Sequence, residues 1–354
     1  MTELKKNKLI FSFLFLVLII LIFLFIVFNK KEKIDINYTK IFYTIKNDNV
    51  EDFKEIYNKY GNNIYKIKNK NNQNIIHLIC LNNSVNILKE VIDKTEKKYL
   101  IEYDNLGNYP LKYAIIKNNI EIIEILILRV EKEQRDHFLG FTPFLTATFS
   151  NKLKILKILY QNGCNINATD LKFNNNALFW ASRKYNLEII KYLIQDLKMD
   201  VKKRDKEGNT IFFEACSSFV NDKQKCFDTL EFLYSLDNNL INIPNNEGVY
   251  PIMIATYNYN IFPIIFIINK NKNSVFQKDN EGNNIIDYLI LTENEKIIKN
   301  LISILREYYS KEDLIKLLKN SISFKNKENL KNDLESDKLD YKKYLNLIAK
   351  EIYK

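Results

Sequence analysis

The chain repeats itself, and this constrains its fold more than any other feature. Segments beginning at 35, 69, 104, 137, 171, 205, 245 and 279 follow a common pattern, 33 to 35 residues apart except for one spacing of 40. The clearest copy is Asp104-Asn105-Leu106-Gly107-Asn108-Tyr109-Pro110-Leu111-Lys112-Tyr113-Ala114. Close versions are Gly140-Phe141-Thr142-Pro143-Phe144-Leu145-Thr146-Ala147, then Asp205 to Ala215, then Asn245 to Ala255. A unit this short cannot bury an apolar face alone. Copies must stack on their neighbours and share one continuous core.

Within that period the special residues recur at fixed places. Gly107, Gly140, Gly208, Gly248 and Gly282 occupy the fourth position, where a tight turn calls for positive φ. Pro110, Pro143 and Pro251 occupy the seventh, where proline suits the first turn of a helix. Ala114, Ala147, Ala181, Ala215 and Ala255 share the eleventh, which predicts close approach of successive helices. A second apolar run follows in each unit with spacings of three and four, such as Ile122, Ile123, Leu126 and Ile127.

These motifs resemble the ankyrin repeat, whose Asp-x-x-Gly-x-Thr-Pro-Leu-His-x-Ala stretch is matched with Tyr for Thr and Lys for His in the clearest copy. Leu159-Tyr160-Gln161-Asn162-Gly163-Cys164-Asn165-Ile166-Asn167 is similar to the family's unit ending, with Cys164 in an alanine place. The resemblance implies an all-α repeat fold: a solenoid of helix-turn-helix units joined by β-hairpin loops, about eight units over 35–310. It also implies a binding function without catalysis, exerted on protein partners through a concave face. Carried onto this chain, the concave-face candidates are Leu106, Phe138, Leu139, Phe141, Phe149, Lys172, Phe173, Arg183, Lys184 and Tyr257. The alternative for these phenylalanines is ordinary packing between adjacent hairpins. His77 falls at the family's histidine place and is expected to tie neighbouring hairpins together. His137 falls at a hairpin aspartate place, where capping or solvation is expected.

The 40-residue unit carries an insertion near Ser217 to Cys226, bracketed by Cys216 and Cys226. A disulfide between them is conceivable in an oxidising compartment, with two thiols the expectation. The four cysteines otherwise show no Cys-x-x-Cys spacing.

Ahead of the repeats, Leu9 to Phe28 is apolar and uncharged, interrupted only by Ser12. A helix of this length spans roughly 30 Å, the hydrocarbon thickness of a bilayer. The run is long for a cleavable signal and ends Ile26-Val27-Phe28-Asn29-Lys30-Lys31, without the small residues of a cleavage site. The expectation is a basic tail over 1–8, a transmembrane signal anchor over 9–28 and a linker over 29–34. Lysines flank both ends of the run, so the positive-inside rule discriminates weakly. The short basic N-terminus favours a cytoplasmic N-terminus, with the repeats on the extracytoplasmic side of a single-pass protein. Beyond the array, 311–354 has two stretches of helical apolar spacing around a Lys/Asn/Glu-rich segment. It reads as a cap for the last unit or as a partly disordered tail.

The search for chemistry gives no active site. Neither histidine has a partner at recognisable triad spacing, no His/Cys cluster suits zinc, and the glycines are taken by the repeats. No cofactor and no small-molecule substrate are expected. The net charge of +10 is dispersed and almost wholly lysine, with only five arginines, so nucleic acid is a poor candidate partner. The resulting expectation is a membrane-tethered protein-interaction module. The alternative is an exported effector whose repeats engage a foreign host protein.

Overall fold

A computed structural model describes residues 38–321 and 341–354, with the side chains of 341 and 342 left aside. The apolar run Leu9 to Phe28 and the segment 322–340 lie outside the described residues. Among the described residues no helix is long and apolar enough to cross a membrane. The chain forms two compact units, divided between Phe138 and Leu139.

The first unit contains α1 (38–46), α2 (Val50–Tyr60), α3 (Ile75–Asn82), α4 (Val85–Val91), α5 (Lys97–Leu100), α6 (Pro110–Lys117) and α7 (Ile120–Ile127). Apart from the short α5, these pair as an inner helix followed by an outer one. The second unit repeats the arrangement with α8 (Pro143–Phe149) and α9 (Leu153–Gln161), then α10 (Ala177–Arg183) and α11 (Leu187–Lys191). The next pairs are α12 (Ile211–Ser217) with α13 (Lys223–Leu236), and α14 (Pro251–Tyr257) with α15 (Ile261–Lys270). The last pair is α16 (Ile285–Ile290) and α17 (Glu295–Tyr308), followed by α18 (Lys311–Lys319) and α19 (Tyr341–Tyr353).

Inner helices are short and almost wholly buried. Every residue from Pro143 to Thr148 in α8 and from Ala177 to Ser182 in α10 is shielded from solvent. Their first turns are fixed by the sequence. Thr142 and Thr210 accept the N–H of Leu145 and Phe213 at 3.3 and 3.1 Å, while Pro110, Pro143 and Pro251 sit at helix starts. Within the second unit α8, α10, α12, α14 and α16 pack each on the next. Ala147, Ala181, Ala215 and Ala255 lie there with no exposed surface, because a larger side chain would push the helices apart. Outer helices bury one stripe only, as in α9 with Ile155, Leu156 and Leu159.

The turn from inner to outer helix uses a left-handed residue in every pair but α12 and α13, whose connection is longer. Asn83, Asn118 and Asn151 have φ of 61°, 61° and 55°, and Tyr185 and Tyr259 stand in the same place at 53°. Asparagine tolerates this conformation better than most residues, so part of the chain's asparagine content has a structural use.

Two sequence expectations are corrected. First, the loops between units contain no strand among the described residues. Each is a tight turn whose tip gives one backbone hydrogen bond to the tip of the preceding turn: Leu171 N–H to Leu139 O at 2.9 Å, Asn246 to Glu207 at 3.0 Å, Asn280 to Glu247 at 3.1 Å. One bond per unit is too few for a ladder. Second, the units assigned to 137 and 171 begin one residue earlier. Asp136 and Asp170 are the turn anchors, accepting the backbone N–H groups of Phe138 at 3.0 Å and Lys172 at 2.9 Å. Each of these turns carries one extra residue, which moves Gly140 one place along and puts Asn174 where a glycine was expected, at φ 59°. His137 is therefore not the cap. Its ring stacks on Tyr103 with centroids 4.1 Å apart.

At the C-terminal end α19 packs on α17 and α18, burying Leu345, Ile348 and Ile352. Tyr344 donates to the Glu293 carbonyl at 2.8 Å, and Lys343 pairs with Glu295 at 2.8 Å.

Candidate functional site

The ten surface candidates are divided between the two units. Leu106 and Phe138 are turn-tip side chains of the first unit, 72% and 80% exposed. In the second unit Leu139 is half-buried and serves through its carbonyl, and Tyr257 projects from the end of α14, two inner helices beyond α10. The remaining six come together at the ends of α8 and α10 and the turn between them.

That cluster is built on a tryptophan that sequence reasoning passed over. Trp180, the only tryptophan in the chain, is buried in α10. Phe141 lies against it with centroids 5.0 Å apart, and Phe149 and Phe173 meet it edge-on at 5.5 and 6.3 Å. Edge-to-face contacts of this kind fix the rings relative to one another. Phe141 is itself buried, so it supports the surface from below and offers no contact to a partner. Phe149 closes α8 and stays 38% exposed. The sequence did hold a signal for Trp180: it stands at the tenth repeat position, where Tyr113 stands before Ala114 and Tyr288 before Leu289 in sister repeats.

Three cations border the rings. The Lys184 Nζ lies 4.1 Å from the centroid of Phe149, and Lys172 Nζ 5.1 Å from that of Phe173. Arg183 spreads over Trp180 at 5.6 Å while its Nη1 donates to Glu214 Oε2 at 3.2 Å. Such contacts add electrostatic attraction to the burial of lysine and arginine stems. Glu214, also absent from the sequence candidates, is buried in α12. Burial raises its carboxyl to about 7, against the Arg183 guanidinium, which pulls it down, and with Asp205 pushing it further up. Asn209 bridges the two acids, its Nδ2 donating to Asp205 Oδ2 at 2.9 Å and to Glu214 Oε1 at 3.4 Å.

Other polar groups have structural partners. His77 is buried, with Nδ1 2.9 Å from Asn74 Oδ1 and Nε2 3.3 Å from the Asn108 carbonyl in the next turn, and burial lowers its pKa. It links successive turns, in the way the family resemblance implied. Cys216 and Cys226 are free buried thiols, raised by burial. No grouping of three or more potential metal-ligating side chains occurs among the described residues.

A profile described as ankyrin repeats matches residues 41–137, 98–170 and 144–242, together more than half of the chain. The chain is an ankyrin-repeat protein. A putative ankyrin repeat protein of Acanthamoeba polyphaga mimivirus is 26% identical over 270 residues, 73% of this chain and 33% of that protein. An ankyrin repeat protein of Variola virus is 25% identical over 211 residues, 58% of this chain and 33% of its own length. The poly [ADP-ribose] polymerase tankyrase of Caenorhabditis elegans is 22% identical over 205 residues, 56% of this chain but 9% of tankyrase. The aligned part of this chain thus spans about a third of the viral relatives. Ankyrin repeats are protein-binding modules and usually non-catalytic.

Proposed function

We propose that this ankyrin-repeat protein is a membrane-tethered interaction module that holds a protein partner at the ends of α8 and α10. The observation that carries this reading is Phe149, exposed at the surface, held from below by Phe141 and Trp180 and flanked by Lys184. A rigid aromatic side chain bordered by polar groups is how binding energy is usually concentrated in an interface. Large exposed apolar side chains clustered on a stable element mark contact surfaces more often than chance. The module would act by display, with no catalytic step and no cofactor.

The tether is the run Leu9 to Phe28, long enough for a bilayer and free of charge. The basic residues before it favour a cytoplasmic N-terminus, with the repeats on the other side. Protease treatment of intact and permeabilised cells, following a C-terminal tag, tests this. Digestion in intact cells is expected; protection until permeabilisation would keep the repeats in the cytoplasm.

The binding surface is tested by placing a photo-crosslinking analogue at Phe149, with Tyr160 on α9 as an exposed control. A discrete protein adduct at Phe149 alone is expected. Equal labelling at both sites, or none, would refute the surface. A second reading, export and engagement of a foreign host protein, is favoured by the viral origin of two of the relatives. A released form lacking residues 1–28 would support it.

A further inference from the structure

The charge pattern at this surface narrows the partner. We propose that it is an acidic peptide segment carrying an aromatic or aliphatic side chain, an inference that rests on the interaction-module reading. Lys184 and Lys172 are exposed, each ammonium lies over a ring, and neither is ion-paired with a carboxylate in the described structure. Arg183, the third cation, is turned inward to Glu214. The acids of the same region are already committed. Asp170 is buried and accepts the N–H groups of Lys172, Phe173, Asn175 and the Trp180 indole. Glu214 is buried against Arg183. At the next turn tip Lys206 and Glu207 offset one another. What faces solvent at the ends of α8 and α10 is therefore positive and aromatic, with Asp170 and Glu214 buried and the exposed Glu207 of the next tip matched by Lys206.

An ammonium resting on a ring keeps N–H donors free on its outer side. A carboxylate can bind there without displacing the contact with the ring, and its own neutralisation is favoured beside apolar surface. The edges of Phe149 and Phe173 then meet the apolar side chain of the same segment. A basic segment would place like charges together, which costs affinity and slows encounter. Single-stranded nucleic acid also joins negative charge to flat apolar groups, yet it binds by stacking bases on open ring faces. Here Lys184 already lies over Phe149, and Trp180 is buried. The arrangement suits side-chain carboxylates better than stacked bases.

The test uses the full chain in detergent micelles and a displayed library of random peptides. Emission from Trp180, the sole tryptophan, reports occupancy through Phe149, which lies against it, when tryptophan-free peptides are titrated. Enriched peptides should be rich in Asp and Glu with an aromatic or aliphatic residue, and should weaken as salt rises. The double variant K172E/K184E should bind them at least about tenfold more weakly, as expected for reversed charges at a contact. Both lysines are exposed, so unchanged melting of that variant will show that folding is not the cause. Neutral or basic peptides that bind K172E/K184E normally but are lost in Phe149→Ala would overturn the acidic partner and leave the module standing. No peptide selected at all, or selected peptides indifferent to both variants, would remove the surface itself. Oligothymidylate that quenches Trp180 more tightly than any selected peptide would overturn the proposal in favour of nucleic acid.

Discussion

Trp180 reaches back to the turn that leads into its own helix, its indole N–H donating to Asp170 Oδ2 at 3.0 Å. The same strut recurs in other units. Tyr113 donates to Asp104 Oδ2, and Tyr288 to Asp279 Oδ2 at 2.8 Å. In each case an aromatic donor on the fourth residue of an inner helix satisfies the second oxygen of the aspartate whose first oxygen holds the turn. Asp279 Oδ1, for example, accepts the N–H groups of Glu281 and Asn283 at 3.0 and 2.8 Å. The strut thus couples the pitch of a turn to the helix that follows it, and in α10 the same tryptophan also supports the exposed Phe149.

Removing only the donor should separate these two roles. Trp180→Phe keeps an aromatic ring but leaves Asp170 Oδ2 with the Asn175 N–H as its remaining partner at 3.0 Å. The expected loss is about 1–3 kcal/mol, since a buried carboxylate oxygen loses a bond and some ring area is lost with it. Tyr288→Phe removes a hydroxyl alone and should cost about 1–2 kcal/mol. Urea denaturation followed by far-UV circular dichroism measures both. A neutral result for Tyr288→Phe would mean that the strut is geometry without energetic weight.

Much of the fold was legible in the sequence because the repeat restricts a few positions severely. Ala181 and Ala215 have no room for a larger side chain, and Pro143 fits a helix start, so these types recur and betray the period. The strut was not legible, because tryptophan, tyrosine and glutamate share its helix position and no single residue type marks it. The loop register at Asp136 and Asp170 was hidden for a related reason. One added residue leaves the local motif intact and shifts only its anchor. Of the candidate surface, the lysines and Phe149 were readable from their repeat positions. Whether Phe141 faced outward or inward depended on Trp180 in the next unit, which one repeat's pattern does not contain.

Gly248 should be intolerant of any side chain. Its φ is 79°, and a Cβ built there would lie 2.5 Å from the Asn280 backbone nitrogen, which itself donates to the Glu247 carbonyl. The left-handed conformation alone costs an L-residue about 1 kcal/mol, and displacing the neighbouring turn adds to it. Gly248→Ala should therefore lower stability by roughly 2–3 kcal/mol. Gly61 has open space where a Cβ would go, but its φ of 52° with ψ of −145° is a conformation that glycine alone adopts readily, so Gly61→Ala should cost about 1–3 kcal/mol from backbone strain without any clash.

The buried Glu214 gives stability a pH dependence of unusual sign. Its carboxyl is raised from 4.5 to about 7 by burial, so the folded chain holds a proton there that the unfolded chain releases. That contribution is fully present below about pH 4.5 and is lost as pH rises to about 7. His77 acts in the opposite direction. Burial lowers its pKa, so its contribution is present above the unfolded value near 6.5 and is lost as pH falls below it. Glu214→Gln should remove the first slope. Wild type should lose stability relative to the variant by about 1–3 kcal/mol across that window, read from urea midpoints at several pH values. Parallel curves for the two proteins would mean that Arg183 keeps Glu214 ionised throughout.

Repeat arrays fail at their ends, where the last inner and outer helices have no following unit to cover them. Here α19 covers α17 and α18, with Ile348 fully buried at the contact and Leu345 and Ile352 nearly so. Its face toward solvent carries Lys343, Asn346 and Lys350, the polar outer surface that a terminal cap requires. Ile348→Ala should cost about 2–4 kcal/mol, since it removes buried methyl groups from a contact that relaxes only in part. Because α19 packs on α16, α17 and α18 at the end of the second unit, the loss should be local. Hydrogen exchange should quicken in α16 to α19 while α3 and α6, in the first unit, stay as protected as in wild type. Faster exchange throughout the chain would show instead that the two units unfold together, and that the cap stabilises both.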